Sequence, residues 1–389
     1  MKKREIETPS DKKTTKNAWF LGSSSFLNDV GGDMISPILP FYVMALGGGG
    51  LAIGLLSGLR EGLSSIFKIF GGWLSDRLGK RKILVFLGYL FSFVAKFFIG
   101  LANSWSQVLW FVSVERFGKF RDAPRDAIIA RHLRERGKNF GIIQMMDTFG
   151  GVVGALIVMF LFWKFSFDFK TIIFLAAGIS LLSLFPLWFV KDVKTKEIKK
   201  NLMEDFKDFN KNLKYSVLVA AVFAFANFGL YMFLLLIAQK ITGSIIYPLI
   251  FYIILNLAYG IFVIPFGELS DRVGRKKVLA LGYALFLVVI LGFILFSSFA
   301  FLFVLFPLYG LVYAITHSSQ KALVSDWANS SKGAAMGFLH MSTGLAGIPG
   351  GLIAGLLWDK NPEWMFMYIG IVALIAIILL AFVKEKKVG

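Results

Sequence analysis

Gly72-Trp-Leu-Ser-Asp76-Arg77-Leu-Gly79-Lys80-Arg81-Lys82 returns 195 residues later as Gly267-Glu-Leu-Ser-Asp271-Arg272-Val-Gly274-Arg275-Lys276-Lys277. The offset is half of a 389-residue chain, so the sequence reads as two related halves. Each copy ends a long apolar run and opens a basic turn. Asp76 and Asp271 fall at the C-terminal end of a predicted helix, where their charge opposes the helix dipole. Each needs a compensating partner, which the adjacent Arg77 or Arg272, or the start of a neighbouring helix, can supply. Gly79 and Gly274 permit a tight turn with positive φ. The lysines and arginines that follow suit anionic headgroups. Such a turn can latch helices in one conformation and release them in another. A plain basic loop between helices is the simpler reading of one copy; two copies at matching positions favour a working part.

Working outward, apolar runs of spanning length fill the chain between short polar breaks. The composition is 57% hydrophobic, 16% aromatic and only 17% charged, against about a quarter charged in soluble domains, and the mean hydropathy is +0.70. A bilayer core about 30 Å thick needs roughly 20 apolar residues per helix. The runs are too long and continuous for barrel strands, so they predict helices. Twelve spans are expected, at 17–45, 50–75, 82–101, 105–130, 139–163, 171–190, 214–238, 245–268, 277–297, 300–325, 333–358 and 363–383. The fold class is therefore an all-α membrane protein of twelve transmembrane helices in two parallel six-helix repeats.

Lys and Arg alternate in abundance from one break to the next. The positive-inside rule places the basic breaks, and with them both termini, in the cytoplasm. The expected organisation is a cytoplasmic tail at 1–16, a six-helix bundle at 17–190, a cytoplasmic linker at 191–213, a second bundle at 214–383 and a tail at 384–389. The linker pattern of Leu202, Phe206, Phe209 and Leu213 among charges fits an amphipathic surface helix; a flexible linker is the alternative. The polar, basic residues 1–16 lack the apolar core of a signal peptide. The net charge of +18 sits in the breaks, which argues against nucleic acid as a partner and for membrane lipid. There are no cysteines, which excludes disulfides and thiolate chemistry.

The duplicated turn, the six-plus-six layout and the central basic linker resemble the major facilitator superfamily, whose halves relate by an axis along the membrane normal. Arg116-Phe-Gly118-Lys119 resembles that family's span-four arginine motif. Gly141…Asp147-Thr-Phe-Gly150-Gly151-Val-Val-Gly154 resembles its glycine-rich span-five motif, although Ala155 stands where a Gly-Pro pair would continue. The run Glu115 to Asp126 resembles a prokaryotic subgroup with few assigned substrates. The resemblance implies a secondary transporter.

Ionisable groups at bilayer depth cost several kcal/mol unless paired or hydrated, so each is a functional candidate. Span one carries Asn28, Asp29 and Asp33, the two acids one helical turn apart. Span two carries Arg60 and Glu61, with Ser64, Ser65 and Lys68; Lys96 stands in span three; span four carries Glu115 and Arg116; span five carries Gln144 and Asp147. Of these, Asn28, Asp29, Asp33, Arg60, Glu61, Glu115, Arg116, Gln144 and Asp147 are the candidates for proton coupling and substrate binding. Glu115 and Arg116 are also open to a structural reading, as partners of Arg60 and Glu61. The cytoplasmic gate is assigned to Gly72, Asp76, Arg77, Gly79, Arg121, Arg125, Asp126, Gly267, Asp271, Arg272 and Gly274. The second half offers only Asn227, Asn256, His317, Gln320, Lys321, His340, Ser342 and Thr343, which places the chemistry in the first half.

No Walker loop, zinc-ligand spacing or nucleophilic triad emerges, so the chain reads as a non-enzyme without cofactor or resident metal. The function expected is secondary active transport of a small solute across the cytoplasmic membrane by alternating access, coupled to protons, by a monomer. Two alternatives stand beside it: a divalent-cation transporter using Asp29 and Asp33, and a non-transporting receptor on the same scaffold.

Overall fold

The computed structural model describes residues 9–129, 136–191, 209–296, 298–328 and 332–385, and every regular element among them is a helix. In chain order these are α1 (Pro9–Ile35), α2 (Leu39–Ala45), α3 (Gly50–Leu78), α4 (Arg81–Leu101), α5 (Trp105–Phe117), a 3₁₀ turn (Gly118–Arg121), α6 (Asp122–Ile129), α7 (Arg136–Phe165), α8 (Phe169–Leu182), a second 3₁₀ turn (Pro186–Phe189), α9 (Lys211–Ala226), α10 (Tyr231–Thr242), α11 (Ile246–Val273), α12 (Arg275–Leu295), α13 (Phe299–Trp327), α14 (Lys332–Lys360) and α15 (Pro362–Ala381). Residues 192–208, where an amphipathic helix is expected, lie outside the described residues.

Nine stretches among the described residues are long and apolar enough to cross a membrane. The expected first, second and fourth spans are not among them. Those three carry Asp29 and Asp33, then Arg60, Glu61 and Lys68, then the charged run from Glu115 to Asp126.

Four expected spans are also interrupted, which corrects their reading as continuous runs; span six turns at residues 183–185 between α8 and the second 3₁₀ turn. Span one breaks at residues 36–38, where Pro37 supplies no backbone donor. The Ser36 amide and hydroxyl both donate to Gly32 O at 2.9 Å and close the first segment. Span four passes through its 3₁₀ turn at Gly118 before Pro124 restarts it. Span seven breaks at Asn227–Leu230, around Gly229 with φ of 89°.

The helices fall into two compact units: Met1–Ser36, Phe67–Leu101 and Val114–Lys199; and Pro37–Ile66, Ala102–Ser113 and Lys200–Gly389. In the first, α1 packs between α7 and α8 at near-backbone contact. A Cβ on Gly150 would lie 2.7 Å from Phe26 O, one on Gly154 would clash with Val30 O, and one on Gly31 would clash with Ala176 O. The glycine-rich stretch of span five thus lies on the face of α1 that carries the acids. Leu21, Val85, Tyr89, Ile128 and Leu187 fill a core at the basic end of the unit. Asp168 caps α8 by accepting from the Thr171 hydroxyl and from Thr171 N, bonds that hold this exposed carboxyl below its usual range.

In the second unit, α3 and α14 meet along glycines. Gly50, Gly54, Gly58 and Gly62 recur every four residues and form one stripe of the helix. Opposite them stand Gly344, Gly347, Gly351 and Gly355. A Cβ on Gly54 would clash with Gly351 O, one on Gly355 with Gly50 O, and one on Gly58 would lie 2.7 Å from Gly347 O. Asp359 closes this contact, its carboxylate accepting from Gly50 N at 2.5 Å and Leu51 N at 2.8 Å. Those amides belong to the first turn of α3 and have no partner within the helix, and a carboxylate there also meets the positive end of the dipole.

Gly54→Val and Gly351→Val are each expected to lower stability by about 1–3 kcal/mol, because the added methyls meet backbone and not a movable side chain. Gly141→Ala, inside α7 where a Cβ would meet nothing within 4 Å, is the control and should not lower the melting temperature. Thermal unfolding of purified protein in detergent checks the set.

Candidate functional site

The first unit buries a polar network around Asn28. Lys96 is 2% exposed, and its ammonium donates to Asn28 O at 2.9 Å, Asn28 Oδ1 at 3.2 Å and Ser180 Oγ at 2.8 Å. Ser92 Oγ lies 2.9 Å from Asn28 Oδ1 and 3.3 Å from Glu115 Oε1. Glu115 Oε2 in turn receives Arg116 Nε at 2.7 Å, so these two neighbours along the chain form an ion pair with each other. The sequence reading gives Lys96 no role; the structure makes it the link between span three, span one and span six.

The two expected acids of span one are only half-buried. Asp29 accepts from Asn28 Nδ2 at 3.3 Å and lies on Gly150, and Asp33 faces Gly151, whose added Cβ would be 2.8 Å from its carboxylate. No group of three or more His, Asp or Glu that could hold a metal ion occurs among the described residues.

Nearer the basic end, Arg125 binds the Ser25 hydroxyl at 2.7 Å, Asp126 at 3.2 Å and Asp147 at 3.4 Å. Asp147, a coupling candidate, and Arg125, a gate candidate, are thus one ion pair. Arg121 is enclosed, its guanidinium 4.4 Å above the Tyr89 ring and 3.0 Å from Gly118 O. Asp122 pairs with Lys68 at 3.2 Å. Gln144 is exposed, and its carbonyl accepts from Thr148 Oγ1 at 2.8 Å.

The two copies of the duplicated turn differ in detail. Gly79 has φ of 64° and Gly274 of 115°. In the second copy the partner of Asp271 is Arg275, the first residue of α12, at 3.3 Å. Arg275 also bridges to Asp326 of α13 at 2.8 Å, while Arg272 turns to Glu268 at 3.7 Å. In the first copy Arg77 stacks 5.4 Å from the Trp73 ring, a Cβ on Gly72 would lie 3.5 Å from that of Ala123, and the Asp76 side chain lies outside the described residues. Gly267 is looser, with Ser318 3.9 Å from its would-be Cβ.

The second unit holds a cavity of about 170 Å³. Its wall comprises Glu61 and Ser65 of α3; Phe223, Ala224, Asn227 and Phe228 at the break after α9; Tyr313, Thr316, His317, Gln320 and Lys321 of α13; and Leu339, His340, Thr343, Gly344 and Gly347 of α14. The break in span seven puts Asn227 into this wall. Its Oδ1 lies 2.5 Å from the Tyr309 hydroxyl, itself 3.4 Å from the Tyr313 hydroxyl. Gln320 donates to the Tyr283 hydroxyl at 3.0 Å, and His317 Nδ1 lies 3.4 Å from the Tyr259 hydroxyl. Glu61 is exposed to the cavity and has no ion pair or hydrogen bond among the described residues. Arg60 contributes its carbonyl to Ser64 Oγ at 2.6 Å and is not in the wall.

Of the nine expected coupling and substrate residues, Glu61 lines this cavity, and the rest of the wall comes largely from the half of the chain read as poor in chemistry. A signal was present in the sequence. His317, Gln320 and Lys321, and then His340, Thr343, Gly344 and Gly347, recur at intervals of three and four, which puts each set on one face of its helix. Glu61 and Ser65 share the same spacing. Counting charges alone passed over this pattern, in which most of the polar groups are neutral or weakly basic. The arrangement presents a carboxylate, an ammonium, amides, hydroxyls, imidazoles and ring faces to one small volume, which suits a polar solute with an apolar or aromatic part.

A family model described as Major Facilitator Superfamily matches residues 21–255 and 217–389. A protein described as an uncharacterised MFS-type transporter of Methanocaldococcus jannaschii is 42% identical over 384 residues, covering 96% of each chain. The multidrug resistance protein MdtH of Photorhabdus laumondii is 25% identical over 382 residues and 92% of each chain. Among solved structures, a mutant of the nucleoside transporter NupG superposes with a TM-score of 0.82 at 14% identity, over 95% of this chain and all of that one. A bacterial homologue of the human lysosomal transporter Spinster gives 0.77 at 15% identity, over 97% of each.

The Arg125–Asp147 pair tests whether the buried charges act as joined units. Arg125→Met and Asp147→Asn should each destabilise the protein, and the double variant should cost less than their sum by about 0.5–3 kcal/mol. Simple additivity in detergent unfolding would mean that the pair is not energetically coupled.

Proposed function

Given that the chain belongs to the major facilitator superfamily and is a multi-pass membrane transporter of two six-helix repeats, we propose that it is a secondary active transporter that binds a small solute in the cavity of the second unit. The observation that carries this reading is the placement of the cavity. It lies about halfway along the expected spans two, seven and eleven, beside a broken helix, which is where transporters of this class hold substrate. Glu61 and Asn227 are the residues assigned to the solute. Movement proceeds by alternating access, with the glycine contact of α3 and α14 closing one end and the duplicated basic turns serving the other.

The motive force in this reading is a proton gradient, with the proton carried on a carboxylate within the spans, among Asp29, Asp33, Glu115 and Asp147. The protein lies in the cytoplasmic membrane as a monomer with both termini inside; the alternation of Lys and Arg between breaks supports that orientation. The two bundles at 17–190 and 214–383 are the moving parts. Export of amphipathic compounds is a second reading, favoured by the ring faces of Phe223, Phe228 and Tyr313 beside Glu61, and a multidrug resistance protein is among the relatives.

A thermal-shift screen of polar solutes, organic cations and divalent ions tests this. A true ligand at about 100 times its Kd stabilises the protein by about 2.7 kcal/mol. Glu61→Gln and Asn227→Ala are each expected to weaken its binding by about tenfold, or about 1.4 kcal/mol. In proteoliposomes the flux of that ligand should follow an imposed pH gradient; flux that persists when every ion gradient is collapsed would leave facilitated diffusion only. Stabilisation by divalent ions alone would favour cation transport, and tight binding without flux would favour a receptor.

A further inference from the structure

Five polar side chains on four helices of the first unit meet with almost no solvent: Asn28 of α1 (2% exposed), Ser92 and Lys96 of α4 (0% and 2%), Glu115 of α5 (5%) and Ser180 of α8 (0%). The three protons of the Lys96 ammonium find three neutral acceptors, two of them on Asn28. No carboxylate lies within ion-pair distance of Lys96 among the described residues; its route to Glu115 runs through Asn28 Oδ1 and Ser92 Oγ.

Ser92 is the decisive atom in this chain, because a hydroxyl has one proton to donate. It faces two acceptors, Asn28 Oδ1 at 2.9 Å and Glu115 Oε1 at 3.3 Å. One arrangement points the hydroxyl proton at Asn28, the nearer acceptor. A hydrogen bond to Glu115 then requires a proton on Oε1, donated back to Ser92 Oγ. With Glu115 ionised, the hydroxyl has to turn towards the carboxylate, and Asn28 Oδ1 keeps Lys96 alone.

We infer that Glu115 is the proton-binding carboxylate of the transport cycle, that Ser92 switches between Glu115 and Asn28 as the proton comes and goes, and that Asn28 and Lys96 are positioning residues for that switch. One proton enters at Glu115 Oε1 and forms one O–H bond; on leaving, it breaks that bond and leaves the carboxylate held by Ser92 and by Arg116. The consequence for packing is direct. Protonation restores the Ser92–Asn28 bond that ties α4 to α1, and deprotonation gives it up. The charged groups that face the network are Asp29 from α1, Lys96 from α4, Arg116 beside Glu115, and Lys119 and Arg121 from the 3₁₀ turn; α8 contributes the neutral Ser180.

This inference rests on the proton-coupled reading above, but its first test needs no substrate. Infrared difference spectra of the full chain reconstituted in lipid, recorded between acid and alkaline pH, read the carbonyl stretch of protonated carboxyl groups. The wild type is expected to show a titrating band that is lost in Glu115→Gln. In Ser92→Ala the band should persist at a shifted frequency, since its hydrogen-bond acceptor is gone. Lys96→Met should displace the midpoint of the titration, and Lys96→Arg should restore it; a purely structural lysine would change stability without moving the midpoint. A titrating band unchanged in Glu115→Gln, or one indifferent to both Ser92→Ala and Lys96→Met, would overturn the assignment. If the band behaves as expected while flux ignores the pH gradient, proton coupling fails and the proton site stands. If flux follows the gradient but Glu115→Gln keeps it, the coupling residue lies elsewhere and this inference fails.

Discussion

No water reaches the backbone in the middle of a bilayer, so every peptide group freed by a break in a helix has to be met by another group of the protein. The interruptions in this chain occur where such partners exist. At residues 36–38 the proline removes a donor, and the Ser36 amide and hydroxyl return to Gly32 O. At Asn227–Leu230 the Asn227 amide still reaches Phe223 O and the Gly229 amide reaches Asn227 O, while the Asn227 side chain is taken up by Tyr309. At the start of α3 the donors are met by Asp359, 309 residues away along the chain. The same requirement governs the side chains: Arg125 is ringed by Ser25, Asp126 and Asp147, and Lys96 by Asn28 and Ser180.

Glycine does a related job in both units. Where α1 meets α7 and α8, and where α3 meets α14, the helices approach until a single Cβ would strike a carbonyl. In lipid no hydrophobic effect drives helices together, so close van der Waals contact has to do so. The two sets of contacts serve different neighbourhoods. In the first unit they carry the acids of α1 against the glycines of α7 and leave Asn28 among Ser92, Lys96 and Ser180. In the second they run from Asp359 to the edge of the cavity at Gly344 and Gly347, so the same glycine stripe that closes the helices also lines the site.

The polar groups therefore divide into two kinds of place. Those of the first unit are mostly tied into networks: Lys96 through Asn28 and Ser92 to Glu115, Arg125 to Asp147, Asp122 to Lys68. Those around the cavity of the second unit include a carboxylate, Glu61, with no ion pair or hydrogen bond among the described residues. A tied network suits a proton that changes how helices are held, and an open wall suits a solute that comes and goes.

The sequence by itself determined the helical class, nine of the twelve expected spans and the duplicated turn, because span length is local and the bilayer imposes it on each segment separately. Among the charged side chains that the first unit buries, it also picked out Glu115 and Arg121. What it could not supply was partnership. Asp147 and Arg125 stand 22 residues apart and Lys96 and Ser180 84 apart, and only the packing of helices brings each pair into contact. The breaks within spans one and seven were marked by Pro37 and Gly229, yet apolar residues continue across them and hydropathy does not see them. The cavity was hidden for the same reason: its wall is assembled from helices far apart in the chain, and the polar face of each becomes a site only where tertiary packing turns those faces toward one another.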